Sequence, residues 1–367
     1  MSTQPDLLAD RTGRLRARLL ADGLDALIIT GPASIRWLTG YAGSNGLCII
    51  TGDEQRFLTD FRYGGNVSHL RASWDVHIVD QNLIGVLGAN LPLYVGNARR
   101  VGFESSRMTY ANWSVLDAGT RDGAVELVGT KDLVEDVRAV KSADEIELIR
   151  AGAEINDKVY EWLASEGLDG KAERDWVRAI SERMRELGAD APAFEAIVAG
   201  GANGASPHAV PGPDVIERNT LVVVDMGALV GGYCSDCTRT FATGHTEDAM
   251  REAYEVVLRA QEAALALVRP GTHCIDVHET ARKVIIDAGY GEYFNHGTGH
   301  GVGIEMHEEP RFRAGFSGVL EPGNVVTVEP GVYLPERFGV RIEDLVVVTE
   351  DGHDVLSRFP KSLLDIG

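Results

Sequence analysis

The stretch Leu221–Phe241 limits what this chain can fold into more than any other. A β-branched run, Leu221-Val222-Val223-Val224-Asp225, is followed by the break Gly231-Gly232 and a second half-apolar run from Tyr233 to Phe241 that contains Asp236. That order predicts a β-hairpin. The midpoint between Asp225 and Asp236 falls between Val230 and Gly231, inside the expected turn. The two carboxylates should therefore lie opposite or diagonal across the ladder, about 4.5–8 Å apart.

A second acidic hairpin repeats the arrangement. Val325-Val326-Thr327-Val328-Glu329-Pro330-Gly331 leads through a loop around Glu336 into Val340-Arg341-Ile342-Glu343-Asp344. Glu329 and Glu343 are centred on Glu336, so they too are expected to face one another. Like charges set opposite each other on strands are destabilising unless something positive lies between them. Four such carboxylates point to a cation, and their spacing suits a pair of cations about 3.5–4 Å apart with shared carboxylates. Between the hairpins lies His296-Gly297-Thr298-Gly299-His300-Gly301-Val302-Gly303-Ile304-Glu305-Met306-His307. A fifth ligand is available here, because neutral imidazole binds Mn, Co, Zn and Fe alike. The glycines match neither G-x-G-x-x-G ahead of a helix nor a phosphate loop ending in Lys-Ser/Thr, so a nucleotide site is not expected.

Taken together, Asp225 with Ser235-Asp236-x-Thr238-Arg239-Thr240 eleven residues on, the His-Gly-x-Gly-His-Gly-x-Gly-x-x-x-His stretch, Thr327-Val328-Glu329-Pro330-Gly331 and Gly339-Val340-Arg341-Ile342-Glu343-Asp344 resemble the pita-bread metallopeptidases. That family includes aminopeptidase P, prolidase and methionine aminopeptidase. The resemblance implies two divalent metal ions held by Asp225, Asp236, His300, Glu329 and Glu343, with Asp236 and Glu343 bridging. Manganese is the expected metal, by family habit; cobalt or zinc suit the same donors. It also implies hydrolysis, through a metal-bridging water, of the bond between an N-terminal residue and a following proline. The substrate is then a peptide, as for aminopeptidase P, or a dipeptide, as for prolidase, and the expected assembly is a homodimer. Two divalent ions would lower the pKa of that water and polarise the scissile carbonyl.

Roles for the other polar residues follow. Glu329 is assigned by resemblance as proton shuttle besides binding metal. A developing oxyanion requires a positioned donor, for which His307 is the candidate. His208, in Ser206-Pro207-His208, resembles the family's substrate-facing histidine and is expected to bind substrate and take part in proton transfer. His296 is placed by resemblance on the proline-binding side of the pocket. Arg341, two residues from Glu343 and so on the same strand face, is expected to orient the carboxylates by a charge-assisted hydrogen bond. Arg311 and Arg313 could hold a substrate carboxylate, although two loop arginines are more often solvated. The competing readings are a metal-free creatinase-like hydrolase and a non-catalytic binding protein on the same fold; the filled ligand positions argue against both.

Composition bounds the setting. The 367 residues are 44% hydrophobic and 25% charged, ordinary for a globular chain of two domains. A formal charge of −20 argues against nucleic acid or an anionic membrane as partner. No run approaches a membrane helix and the start lacks the pattern of a signal peptide, so a cytoplasmic location is expected. Four cysteines at 48, 234, 237 and 274 are too irregular for a disulfide scaffold. Cys234 and Cys237 lie on a predicted strand, where an offset of three sends them to opposite faces, so a zinc knuckle is not expected.

In chain order, residues 1–138 alternate helical and strand signals. A helix bearing Leu8, Leu15 and Leu19 precedes strands near Ala26–Thr30, Leu47–Ile50, Phe57–Thr59, Val76–Val79 and Arg100–Phe103. This predicts an α/β domain with a mixed sheet, similar to the creatinase and prolidase N-terminal domain, which methionine aminopeptidases lack. His69 and His77 have no acidic partners at ligand spacing and read as surface or satisfied histidines. Ser142 and Glu145 have capping-box spacing and open a long amphipathic helix, so a catalytic domain is expected over 139–367. There, two helices followed by strands occur twice, each half carrying one acidic hairpin. That repeat predicts a pseudo-twofold α+β pita-bread domain, with helices on one face of a curved antiparallel sheet and the metals on the other.

Overall fold

The computed structural model describes residues 4–120 and 123–367, with side chains from residue 10 onward, so Leu8 of the first helix falls outside the described side chains. The chain divides into two compact units, Met1–Arg138 and Ala139–Gly367.

The first unit is built on a six-stranded sheet: β1 (Ala26–Ile29), β2 (Gly46–Thr51), β3 (Gln55–Asp60), β4 (Asp75–Val79), β5 (Arg100–Glu104) and β6 (Glu126–Thr130), in the order β4-β3-β2-β1-β5-β6. Both neighbours of β2 are antiparallel to it, whereas β3–β4, β1–β5 and β5–β6 run parallel, which makes the sheet mixed. Helices α1 (Gln4–Ala21), α2 (Pro32–Thr39), α3 (Leu83–Ala89), α4 (Leu91–Val95), α5 (Tyr110–Ala118) and α6 (Leu133–Ala139) accompany it. Leu15 and Leu19 are buried, and Ile28, Ile49, Leu58, Leu87, Val101 and Leu116 form one core. Strand β6 lies beyond the five read from sequence; it is an edge strand with no fully buried residue, so the burial alternation that marks a strand is weak there. His69 Nε2 sits 3.0 Å from the Thr39 carbonyl, and His77 does have an acidic partner, Asp75 Oδ2 at 2.8 Å, near the surface.

The second unit opens with α7 (Ala143–Glu166), where the Glu145 carboxylate accepts from the Ser142 N–H at 2.8 Å. Helix α8 (Glu173–Glu186) follows. Then come β7 (Ala191–Pro192), β8 (Ile197–Gly200), β9 (Leu221–Met226), β10 (Ala228–Val230), β11 (Tyr233–Cys234) and β12 (Cys237–Ala242). Helices α9 (Asp248–Leu265) and α10 (Cys274–Asp287) start the second half. Its strands are β13 (Gly299–Gly301), β14 (Glu308–Phe312), β15 (Val325–Val328), β16 (Gly331–Leu334), β17 (Phe338–Arg341), β18 (Asp344–Val348) and β19 (His353–Val355).

Each half packs its own helix pair on its own strands. Val159, Leu163, Trp176 and Ile180 meet Val198, Val222 and Val224 in one core, and Val257, Ala260, Val277 and Ala281 meet Val326, Val328, Val340 and Val346 in another. The strands form short antiparallel sheets rather than one continuous sheet, in the orders β11-β10-β7, β12-β9-β8, β14-β13-β15-β18-β19 and β16-β17. The breaks fall at Asp236, Glu329 and Glu343 and, beside Asp225, at Gly227. In the first hairpin Val230 pairs with Tyr233 across Gly231-Gly232, both at positive φ, as a two-residue turn with the twist of the strands demands. The turn is therefore centred between the two glycines. Asp225 stands opposite Thr238, and Asp236 lies diagonal to it in the gap between the ladders β10–β11 and β9–β12. In the second hairpin the register is centred on Glu336, at φ 62, and carries through both ladders from Val328↔Asp344 to Gly331↔Arg341. Glu329 and Glu343 thus stand opposite one another in the gap.

Candidate metal centre

The two gaps meet. Glu343 N–H donates to the Thr238 carbonyl at 3.1 Å, and Thr240 Oγ1 bonds the Arg341 backbone, joining strand β12 of the first half to the second hairpin. Carboxylate oxygens of Asp225, Asp236 and Glu343 consequently lie within 4.8 Å of one another. His300 Nε2 is 3.6 Å from Asp236 Oδ2 and 3.5 Å from Glu329 Oε1, longer than direct hydrogen bonds. His300 Nδ1 faces the Gly301 carbonyl at 3.0 Å; donating there leaves the Nε2 lone pair directed at the carboxylates. Gly299, beside it, is in backbone contact: a Cβ there would lie 2.0 Å from the Thr327 carbonyl oxygen.

One cation from the chain serves this cluster. Arg341 Nη2 donates to Asp225 Oδ2 at 2.7 Å, while its other nitrogens reach Tyr333 OH at 2.8 Å, the Pro207 carbonyl at 3.1 Å and Thr238 Oγ1 at 3.0 Å. Thr238 Oγ1 in turn donates to Glu343 Oε2 at 2.8 Å. The remaining oxygens, Asp225 Oδ1 and Glu343 Oε1, are buried without any partner. A buried carboxylate oxygen left unpaired is costly, and one guanidinium cannot neutralise four carboxylates. Burial, followed by the charges of Glu343 and Asp225, pushes the Asp236 carboxyl well above the usual range; burial and then Glu329 do the same to Glu343. Burial pushes Glu329 up to about 7, against the pull of Arg341, and burial holds the His300 imidazole down to about 3. A neutral imidazole among crowded carboxylates with orphaned oxygens is a donor set that fits divalent cations.

The cluster floors a cavity of about 470 Å³. His208, His296 and His307 all line it, as do Phe194, Tyr333, Arg311 and Arg313. The His307 ring lies 4.3 Å from that of His300 and is exposed on the cavity side. His296 packs against Phe294 and Tyr333 with Nδ1 at 2.6 Å from the Gly297 carbonyl; burial, then Arg341, lowers it to about 4. His208 is exposed, next to the Pro207 carbonyl that Arg341 holds. Arg311 is on strand β14, not in a loop, and is engaged by Glu309 at 3.3 Å. Among the described residues the Arg313 guanidinium makes no hydrogen bond or ion pair, while its carbonyl accepts from the Phe316 N–H at 3.3 Å. Reading from sequence missed Tyr333 and Thr238. Thr238 could have been found from the hairpin register, since it faces Asp225, whereas Tyr333 reaches Arg341 through a packing that no spacing signals. Cys234 and Cys237 enter different cores, and all four cysteines are buried.

The fold and this centre define the class: residues 147–350 match metallopeptidase family M24, and the chain belongs to it. Residues 11–140 match the creatinase/prolidase N-terminal domain, which places it among the two-domain members. A Xaa-Pro dipeptidase of Pyrococcus furiosus is 43% identical over 233 residues, 64% of this chain and 67% of that protein. A solved Xaa-Pro dipeptidase from Bacillus anthracis superposes with a TM-score of 0.91 at 35% identity, covering 97% of this chain and 99% of that one. An X-Pro aminopeptidase from Thermotoga maritima gives 0.84 at 31% identity, covering 95% of this chain and all of its own.

Proposed function

We propose that this metallopeptidase hydrolyses the bond between an N-terminal residue and a following proline, and that Asp225, Asp236, His300, Glu329 and Glu343 would hold two divalent ions for that reaction. The observation that carries the reading is the carboxylate cluster with orphaned Asp225 Oδ1 and Glu343 Oε1 at the floor of a dipeptide-sized cavity. When bound, the ions, manganese by preference, supply an activated water and polarise the scissile carbonyl. Glu329, opposite Glu343 and beside His300, takes the proton released in attack and returns it to the prolyl nitrogen. His307 donates to the developing oxyanion from the cavity wall, and His208 binds the substrate at the rim and assists proton transfer. Arg341 keeps Asp225 aimed. His296, Phe194 and Tyr333 form the wall against which the proline ring rests.

Proline suits such a wall because its nitrogen bears no hydrogen and its ring fixes φ near −65°, so the scissile carbonyl arrives aligned. An alanyl residue at that position arrives less ordered. The unpaired Arg313 guanidinium in the cavity favours a substrate with a free carboxylate, hence a dipeptide, over a longer peptide. A cytoplasmic setting and a homodimer are part of the proposal. The test is kcat/KM with added metal for Ala-Pro and Ala-Pro-Ala against Ala-Ala and Ala-Ala-Ala. Cleavage confined to the prolyl substrates is expected; equal values within each pair would mean a general peptidase on this scaffold.

A further inference from the structure

We propose that the buried ion pair Lys141–Glu308 is the anchor that positions His307, making Lys141 a positioning residue for the reaction. The inference rests on the donor role given to His307 above. Glu308 directly follows His307 and opens strand β14. Its side chain is 4% exposed, that of Lys141 1%, and Nζ stands 3.0 Å from Oε2. The other oxygen, Oε1, accepts from the Glu305 N–H at 3.0 Å, so the same carboxylate that holds the lysine closes the turn Glu305–Glu308 on which His307 rides. Gly303 lies against this carboxylate: a Cβ there would meet Glu308 Oε2 at 2.5 Å. The turn is tied on its near side by Gly303 N–H to the Glu305 carbonyl and by Cys234 N–H to the Gly303 carbonyl, at 3.1 and 2.8 Å.

Lys141 is itself fixed. Its N–H donates to the Gly323 carbonyl at 2.9 Å, Val140 bridges Asn324, and Asn324 Nδ2 donates to the Ala139 carbonyl at 3.0 Å. The His307 imidazole, by contrast, makes no hydrogen bond among the described residues; its place is set by the turn and by the contact with His300. Removing one partner of such a desolvated pair leaves an uncompensated buried charge that must find water or another partner. A displacement of a reacting group by about 1 Å costs on the order of 10²-fold in rate.

Lys141→Met, Glu308→Gln, the double variant Lys141→Met/Glu308→Gln, His307→Ala and His307→Ala/Lys141→Met are compared for Ala-Pro hydrolysis, metal content and amide exchange. For Lys141→Met, a fall in kcat of roughly 10–100-fold is expected, with KM and metal content close to wild type. Faster exchange at amides 303–308 in the metal-free protein should accompany it. In the His307→Ala background the same change should add about threefold or less, because the residue it positions is gone. Wild-type kcat in Lys141→Met, or an equal loss in both backgrounds, overturns the proposal. If Lys141→Met fails to fold, the double variant decides, since it removes both charges and keeps the shape: a lowered kcat in a stably folded protein supports the proposal, and wild-type kcat overturns it. Undiminished activity in His307→Ala would instead remove the donor role on which it rests.

Discussion

Removing the metals should make this protein unstable toward alkali in a way that carboxylate crowding alone dictates. Glu329 is pushed from 4.5 up to about 7, and Asp236 and Glu343 well above the usual range, in each case chiefly by burial. A carboxyl whose folded pKa lies above its unfolded one holds a proton that the unfolded chain has already released, so raising the pH favours unfolding until the folded pKa is passed. His296 and His300, lowered to about 4 and about 3, act in the opposite sense, but only below the unfolded histidine value of about 6.5. Between pH 6.5 and 8 the carboxylates therefore act without opposition from the histidines. Each retained proton costs about 1.4 kcal/mol per pH unit, which gives roughly 1 kcal/mol for Glu329 between pH 6.5 and 8, and Asp236 and Glu343 add to it in the same direction. For a unit of this size the Glu329 contribution alone corresponds to a fall in Tm of about 2–4 °C. The assay is differential scanning calorimetry of chelator-treated protein at pH 6.5, 7.2 and 8.0, beside the same protein with excess manganese. Metal should raise Tm most at pH 8 and flatten the dependence. A chelated protein whose Tm stays level or rises over this range would refute the reasoning.

Two further outcomes are expected. Asp236→Ala or Glu343→Ala should lose both metal content, by elemental analysis, and hydrolysis of Ala-Pro; full turnover at saturating metal in either variant would sink the two-metal assignment. Tyr160 OH, on helix α7, lies 3.0 Å from the Val224 carbonyl and 2.7 Å from that of Cys237, residues flanking Asp225 and Asp236. Tyr160→Phe should therefore cost about 1–3 kcal/mol, read as a lower urea midpoint at an unchanged m-value. An unaltered midpoint would show that the hydroxyl contributes nothing to holding the two strands.

The acidic hairpins were legible because their periodicity is local: a β-branched run, a glycine pair and a second run define a ladder whatever surrounds it. The placement of the first turn by one position was not, since only backbone conformation distinguishes a centre at Val230-Gly231 from one between Gly231 and Gly232. The consequence is small, a diagonal rather than facing pair, because a register shift of this kind keeps Asp225 and Asp236 on one face. The supporting set was largely hidden. Lys141 and Glu308 are 167 residues apart, and Arg341 meets Pro207 across 134. Nothing in the neighbourhood of Lys141 marks it as anything but a surface lysine ahead of a helix. Strand β6 escaped for a related reason, since its pairing with β5 is specified by the partner more than by its own sequence.

The hydrogen bond from Glu343 N–H to the Thr238 carbonyl lies where the two halves of the catalytic unit touch. Asp225 and Asp236 belong to one half, and His300, Glu329 and Glu343 to the other. On the proposed occupancy the ions would form a reversible cross-link between residues 64 to 118 positions apart, drawing a long loop closed as a disulfide does but releasable by a chelator. Binding energy then appears as resistance of both halves to opening at once. A protease that acts on the opened chain would then find either half more often once the ions have left.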